Sequence, residues 1–288
     1  MRNHNDPRSL SVPVAWRTDI DHWIVYLKAA HLSPSTVAKR YDHVTHLARD
    51  LTPLTPNGVT SDDLLAWAAA KAWRAETRHA YYCSVRNFFR FLCGENSPAA
   101  ILPSIRRQVA LPRPAPESVL RSALDSAPER ERLILLLAAV LGLRAHEIAS
   151  VHSDNVFEDL LGYTLRIHGK GGRSRDLPLP PFLAREILSR CHANGGFAFA
   201  GQHYGHLSPH WVSKIASRQL EPPWTLHTLR HRFATRAYAA ERDLLTVQQL
   251  LGHQSVATTQ RYAQPPPEAR ITAITAAIPD NITTTHSN

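Results

Sequence analysis

Pro98, Pro103, Pro112, Pro114 and Pro116 all fall within Ser97–Pro116. Proline has no amide donor and clashes with the preceding turn, so neither a helix nor a central strand runs through such a stretch. Helical periodicity resumes on both sides of it. The chain is therefore expected to fold as two units, with residues 97–116 as an extended, semi-stiff spacer. Its 288 residues give each unit a core of ordinary size.

Before the spacer, four helical patterns follow one another. Trp16, Ile20, Trp23, Ile24 and Leu27 share one face. Ser33-Pro34-Ser35-Thr36 reads as a helix start ahead of Val37, Tyr41, Val44 and Leu47. Thr60-Ser61-Asp62-Asp63 caps a third helix through Leu64 and Trp67, and a fourth runs from about Glu76 to Leu92. That fourth helix interleaves Tyr81, Tyr82, Phe88 and Phe89 with Arg74, Arg78, Arg86 and Arg90, which suits either a polyanion-facing surface or a core stripe with a solvated back. Residues 1–15 are expected to be disordered and 16–96 to form a four-helix domain.

After the spacer, residues 117–267 read as mainly α with a small sheet. Helices are expected near 117–126, 129–141, 144–151, 181–192, 208–219, 227–240, 244–251 and 255–263. The sheet is expected to be a hairpin, Tyr163–His168 with Arg173–Pro178, around the turn Gly169-Lys170-Gly171-Gly172. Pro265-Pro266-Pro267 breaks the pattern, and residues 268–288 form a tail with a weak helix near 268–278.

Charge narrows the partner. The formal net charge is +9, and lysine is confined to Lys28, Lys39, Lys71, Lys170 and Lys214, so arginine carries most of it. The planar guanidinium fork suits phosphate, although a genomic bias toward arginine codons would give the same ratio. Arg106, Arg107 and Arg113 would lie along a nucleic-acid backbone if the two units clamp a duplex. Cys83, Cys93 and Cys191 are odd in number and lack metal-type spacing, which reads as reduced, mostly buried thiols of an intracellular protein. No apolar run approaches membrane length, and the polar N-terminus shows no leader pattern, so a cytoplasmic protein is expected.

Several residues suit chemistry, and each has a plainer reading. Arg144 follows the helix stop at Gly142, with Glu147 three residues on to steady its guanidinium; a solvated ion pair is the alternative. Lys170 sits at a glycine-flanked tip that lets it reach outward, or is simply a turn lysine; the Walker spacing is absent. His227 and Arg230 share a helix face, with His231 next to Arg230. His227 and His231 at i, i+4 could bind a metal, but Arg230 between them would repel a dication, and His231 better fits a core position. His253 follows the stop at Gly252, and Ser255 can cap a helix carrying Tyr262.

Taken in order, Gly142-Leu143-Arg144-Ala145-His146-Glu147, Gly169-Lys170-Gly171-Gly172, His227-Thr228-Leu229-Arg230-His231, Leu251-Gly252-His253-Gln254-Ser255 and Thr258-Thr259-Gln260-Arg261-Tyr262 closely resemble the motifs of the tyrosine recombinases, the phage-integrase family. The resemblance covers about residues 117–265 by motif. It extends to 16–94 by length and helical pattern, which look like the family's core-binding domain.

The resemblance implies six active positions: Arg144, Lys170, His227, Arg230, His253 and Tyr262. It places Glu147 at the acidic supporting position and His231 at a structural one. It further implies strand transfer in double-stranded DNA at attachment or crossover sites through a 3′-phosphotyrosyl bond, without metal, cofactor or ATP. The assembly implied is a homotetramer on DNA, near the nucleoid and away from membranes, with room for accessory proteins and a tail that docks on a neighbour. With only about 15 residues before the first helix, the chain resembles the simple type that lacks an arm-binding domain. Integration and excision of phage or mobile-element DNA is the favoured role. A Xer-like chromosome-dimer resolvase, a nicking and relaxing enzyme, and a non-catalytic DNA-binding protein remain as alternatives.

Overall fold

The computed structural model describes residues 11–106, 112–160, 162–169 and 174–252. The chain divides into two compact units, 1–110 and 111–288.

The first unit is built on four helices: α1 (Val14–Ala29), α2 (Pro34–Asp50), α3 (Ser61–Ala69) and α4 (Ala75–Cys93). Local chemistry sets their starts. The Ser33 hydroxyl accepts from the Thr36 amide, and Pro34 fills the first turn of α2, where its missing donor costs nothing. Thr60 and Asp63 close a reciprocal capping box on α3. Trp16, Ile20, Trp23 and Leu27 recur at helical spacing on α1 and are fully buried. They meet Val85, Phe88 and Phe89 of α4; the Trp16 and Phe88 rings stack at 5.8 Å, and Trp23 meets Phe88 edge-on at 5.2 Å. The indole donors are satisfied, Trp23 by Asn87 Oδ1 at 2.9 Å and Trp16 by the Leu54 carbonyl at 2.8 Å.

The residues expected to begin the spacer do not stand clear of this core. Residues 98–101 form a short 3-10 turn, and Ala99 and Leu102 are buried with the first unit's aromatics. Arg86 donates to the Leu102 and Pro103 carbonyls and so pins the segment to α4. Apolar side chains between the prolines carry the chain further along this core than proline density suggests.

The second unit comprises α5 (Glu117–Ser126), α6 (Glu129–Val140), α7 (Ala145–Ala149), β1 (Val156–Asp159), β2 (Gly162–His168), β3 (Ser174–Leu179), α8 (Pro181–Ala193), β4 (Ala200–His203), α9 (Pro209–Gln219), α10 (Leu226–Glu241) and α11 (Leu244–Leu251). Every residue from Leu133 to Ala139 is buried, which makes α6 the centre of the unit. The sheet is three-stranded and antiparallel, in the order β1-β2-β3, where the sequence suggested a two-stranded hairpin. The added strand β1 pairs Val156 with Leu165. It is four residues long and ends in Glu158 and Asp159, too short and too polar to show an alternation. On β2 and β3 the alternation is clear. Leu165, Ile167, Leu177 and Leu179 face the core, while Arg166 and Asp176 pair outside.

Of the cysteines only Cys191 is buried; Cys83 is exposed and Cys93 half-buried, so the expectation of mostly buried thiols holds for one position. Among the described residues no helix is long and apolar enough to cross a membrane. The terminal segments 1–10 and 253–288, with the expected helices near 255–263 and 268–278, lie outside the described residues.

Candidate active site

The site is built on a turn. α6 ends at Val140, and Gly142 follows in the left-handed region at φ +64°. A Cβ at Gly142 would lie 2.4 Å from the Phe233 ring of α10, so both the conformation and the close approach require glycine. Leu143 is buried, and Arg144 becomes the cap of α7. Glu147, in the first turn of α7, accepts from the Arg144 amide at 2.7 Å and from Arg144 Nη1 at 3.1 Å. The same carboxylate therefore caps the helix and holds the guanidinium.

Glu147 is the hub of a larger cluster. Arg175 on β3 approaches it with both terminal nitrogens, at 2.8 Å and 3.0 Å. Arg230 on α10 stands 3.9 Å away. Side-chain exposure falls from 36 % at Arg144 to 12 % at Arg175 and 3 % at Arg230, with the carboxylate fully buried. The three guanidiniums also converge on the end of α11. Arg230 Nη2 and Arg144 Nη1 donate to the Leu251 carbonyl at 2.7 Å and 3.3 Å, and Arg175 Nε to the Leu250 carbonyl at 2.9 Å. Arg230 Nη1 also donates to the Gly142 carbonyl. Carbonyls at a helix C-terminus carry partial negative charge, so cations belong there.

The electrostatics follow. Burial works to raise the Glu147 carboxyl. The paired bonds and charge of Arg175, then the amide and charge of Arg144, outweigh it and hold the pKa at about 2. Three guanidiniums against one ionised carboxylate leave a net positive cluster, exposed to solvent mainly at Arg144. Such a cluster suits an anion such as phosphate, approached from the side of Arg144.

Of the six residues singled out in the sequence, Arg144 and Arg230 are brought together around Glu147. His227 lies on the exposed first turn of α10, its ring 4.3 Å from that of His231 and edge-on to it. His231 is buried, at a core position. Lys170, His253 and Tyr262 lie outside the described residues. The described chain leading toward two of them reaches the cluster. Gly252 packs so closely on Arg175 that a Cβ would sit 2.9 Å from its Nη1. Arg175 itself was missed. The available signal is positional: it shares the inward face of β3 with Leu177 and Leu179, and an arginine on an apolar face demands a partner.

A mostly helical unit with a small antiparallel sheet and an arginine pair gathered around one carboxylate defines a class. The profile of the phage integrase family matches residues 116–268, over half of the chain, and the chain belongs to that family. Among its relatives is the tyrosine recombinase XerC of Azotobacter vinelandii, 33 % identical over 62 % of this chain and 66 % of its own length. Another is the XerC of Rhodospirillum centenum, also 33 % identical, over 68 % of this chain and 65 % of its own length. The chain thus spans just under two thirds of these relatives. A lambda integrase dimer bound to a core site shares the fold, with a TM-score of 0.69 over 86 % of this chain and 77 % of that one, at 18 % identity.

Proposed function

We propose that this protein is a site-specific DNA recombinase that cuts and rejoins duplex DNA through a 3′-phosphotyrosyl link to Tyr262. The Tyr262 oxygen attacks the scissile phosphorus, the bond to the 5′-oxygen breaks, and the 5′-hydroxyl leaves with a proton. A 5′-hydroxyl of a second strand then reverses the step. The phosphodiester bond energy is kept in the protein–DNA link, so no ATP is consumed.

The observation that carries the reading is the guanidinium cluster. The transition state gathers negative charge on its non-bridging oxygens, and in this reading Arg144, held by Glu147, and Arg230, held by the Gly142 and Leu251 carbonyls, receive it. In this scheme His253 donates a further bond, Lys170 protonates the leaving oxygen, and His227 accepts the tyrosine proton or steadies the phosphate. The arginines supply the charge neutralisation, and no cofactor is invoked. The partner is double-stranded DNA. Exchange between two duplexes calls for four protomers, one per cut strand, acting in the cytoplasm at the nucleoid, with residues 16–96 as a second DNA-binding domain.

Covalent capture tests this reading. On a nicked suicide duplex the wild type should form a protein–DNA adduct, and Tyr262→Phe should abolish it while duplex binding persists. An adduct that survives in Tyr262→Phe refutes the nucleophile. Relaxation of supercoils without recombinant product in a two-site assay would instead support a nicking enzyme. A second reading, Xer-type chromosome resolution in place of phage integration, is favoured by the recombinase names of the relatives at 33 % identity. Attachment-site repeats beside the gene would favour integration.

A further inference from the structure

We propose that Arg175 is a positioning residue of the strand-transfer site, acting on the scissile phosphate through Glu147 and Arg144 without touching it. The inference rests on the recombinase reading above and adds a residue to it.

Arg175 joins three elements with three nitrogens. Its two terminal nitrogens bond the two oxygens of Glu147 at 2.8 Å and 3.0 Å, and its Nε bonds the Leu250 carbonyl at 2.9 Å. Glu147 in turn receives the Arg144 amide and Nη1. A carboxylate that accepts a bidentate fork is fixed in plane and orientation, and the remaining bonds it accepts are fixed with it. Without the fork, Glu147 could rotate, and Arg144, the most open of the three guanidiniums, would lose its fixed partner. The Leu250 bond ties the same fork to the last turn of α11, the turn from which the chain runs on toward His253 and Tyr262. The direction of the Arg175 side chain argues against direct contact. It emerges from the core face of β3, is 12 % exposed, and spends its fork on Glu147.

A displacement of about 1 Å in a reacting group can cost on the order of 100-fold in rate. Arg175→Met should therefore slow single-turnover adduct formation on the suicide duplex by about 100-fold at saturating DNA. Duplex affinity should change by less than about threefold. Arg175→Lys, which restores charge without the fork, should recover part of the rate. The discriminating substrate carries a methylphosphonate at the scissile position, where a neutral methyl replaces one charged oxygen and reduces what the arginines must neutralise. If Arg175 acts through Arg144, the deficit of Arg175→Met relative to wild type should shrink at least tenfold on that substrate. Glu147→Gln should show the same shrinkage, and the double variant should be little worse than the poorer single one.

Equal deficits on both substrates, or additive losses in the double variant, would overturn the proposal and leave Arg175 a structural residue. So would wild-type rates in Arg175→Met. If Arg175→Met melts below assay temperature, the comparison is made with Arg175→Lys, and the same outcomes decide. Absence of any wild-type adduct sinks the recombinase reading itself, and this inference with it.

Discussion

Glu147 shows how one residue can link stability to function. Its carboxyl is held at about 2, well below the ordinary glutamate range near 4.5, so the folded state binds its proton more weakly than the unfolded chain does. A depressed carboxyl contributes stability that is fully present above about pH 4.5 and is lost as pH falls toward 2. A shift of that size corresponds to about 3 kcal/mol. Wild-type stability from urea unfolding should therefore drop across this window. Glu147→Gln, which is less stable at pH 7 because it leaves the guanidiniums without a counter-charge, should lose the Glu147 share of that drop and keep the share of the other lowered carboxyls, such as Asp50 and Glu117. Equal slopes in the two proteins would mean that the carboxylate is not the group being titrated. The Arg144–Glu147 pair was legible in the sequence, because i, i+3 spacing across a helix start fixes both partners locally. Arg175 was not, since its partners Glu147 and Leu250 are 28 and 75 positions away in the chain, and strand alternation reveals a face without revealing what waits across it.

At the scale of elements, the geometry of the site rests on how α6 hands over to α7. Gly142 turns the chain at φ +64° and lets α10 approach until a Cβ would collide with Phe233. Gly142→Ala should therefore destabilise the unit for two separable reasons. The left-handed conformation alone costs a non-glycine residue about 1–3 kcal/mol, and the clash with Phe233 adds to it. Trimming the ring with Phe233→Leu in the Gly142→Ala background should recover the clash and leave the backbone part, as measured by urea unfolding of the two variants against Phe233→Leu alone. Full recovery would show that the conformation itself carries no cost. The elements that sequence reading placed best are those with chemical punctuation. Thr60 and Asp63 mark the start of α3, Gly142 and Gly252 mark stops, and the run Leu133–Ala139 can only be a buried helix. β1 has no such marks; it exists because β2 offers it an edge, which no local pattern announces.

For the whole molecule, the question is whether a formal charge of +9 is used or merely carried. Parts of the positive charge are committed internally. Glu117 takes Arg232 and Arg236, Asp50 takes Lys71, and Glu147 takes the fork of Arg175. An arginine spent on a buried pair, as Arg175 is, would release few counterions to a bound duplex. If the protein binds DNA as proposed, those at the surface, among them Arg74 at the cap of α4 and Arg90 near its end, would displace condensed cations from each phosphate they meet. A duplex-binding protein that neutralises 6–10 phosphates should lose about 10³–10⁵ in affinity between 50 and 200 mM salt, with a linear log–log slope near −0.9 per phosphate. Replacing Arg90 with alanine should lower the slope by about one if it meets the backbone, and should leave the adduct rate at saturating DNA unchanged. A flat salt response would mean that the surface arginines do not meet phosphates and would assign the arginine content to codon bias. Glu147 and its guanidiniums would be unaffected by such a result, because their role depends on where a few charges lie and not on how many there are.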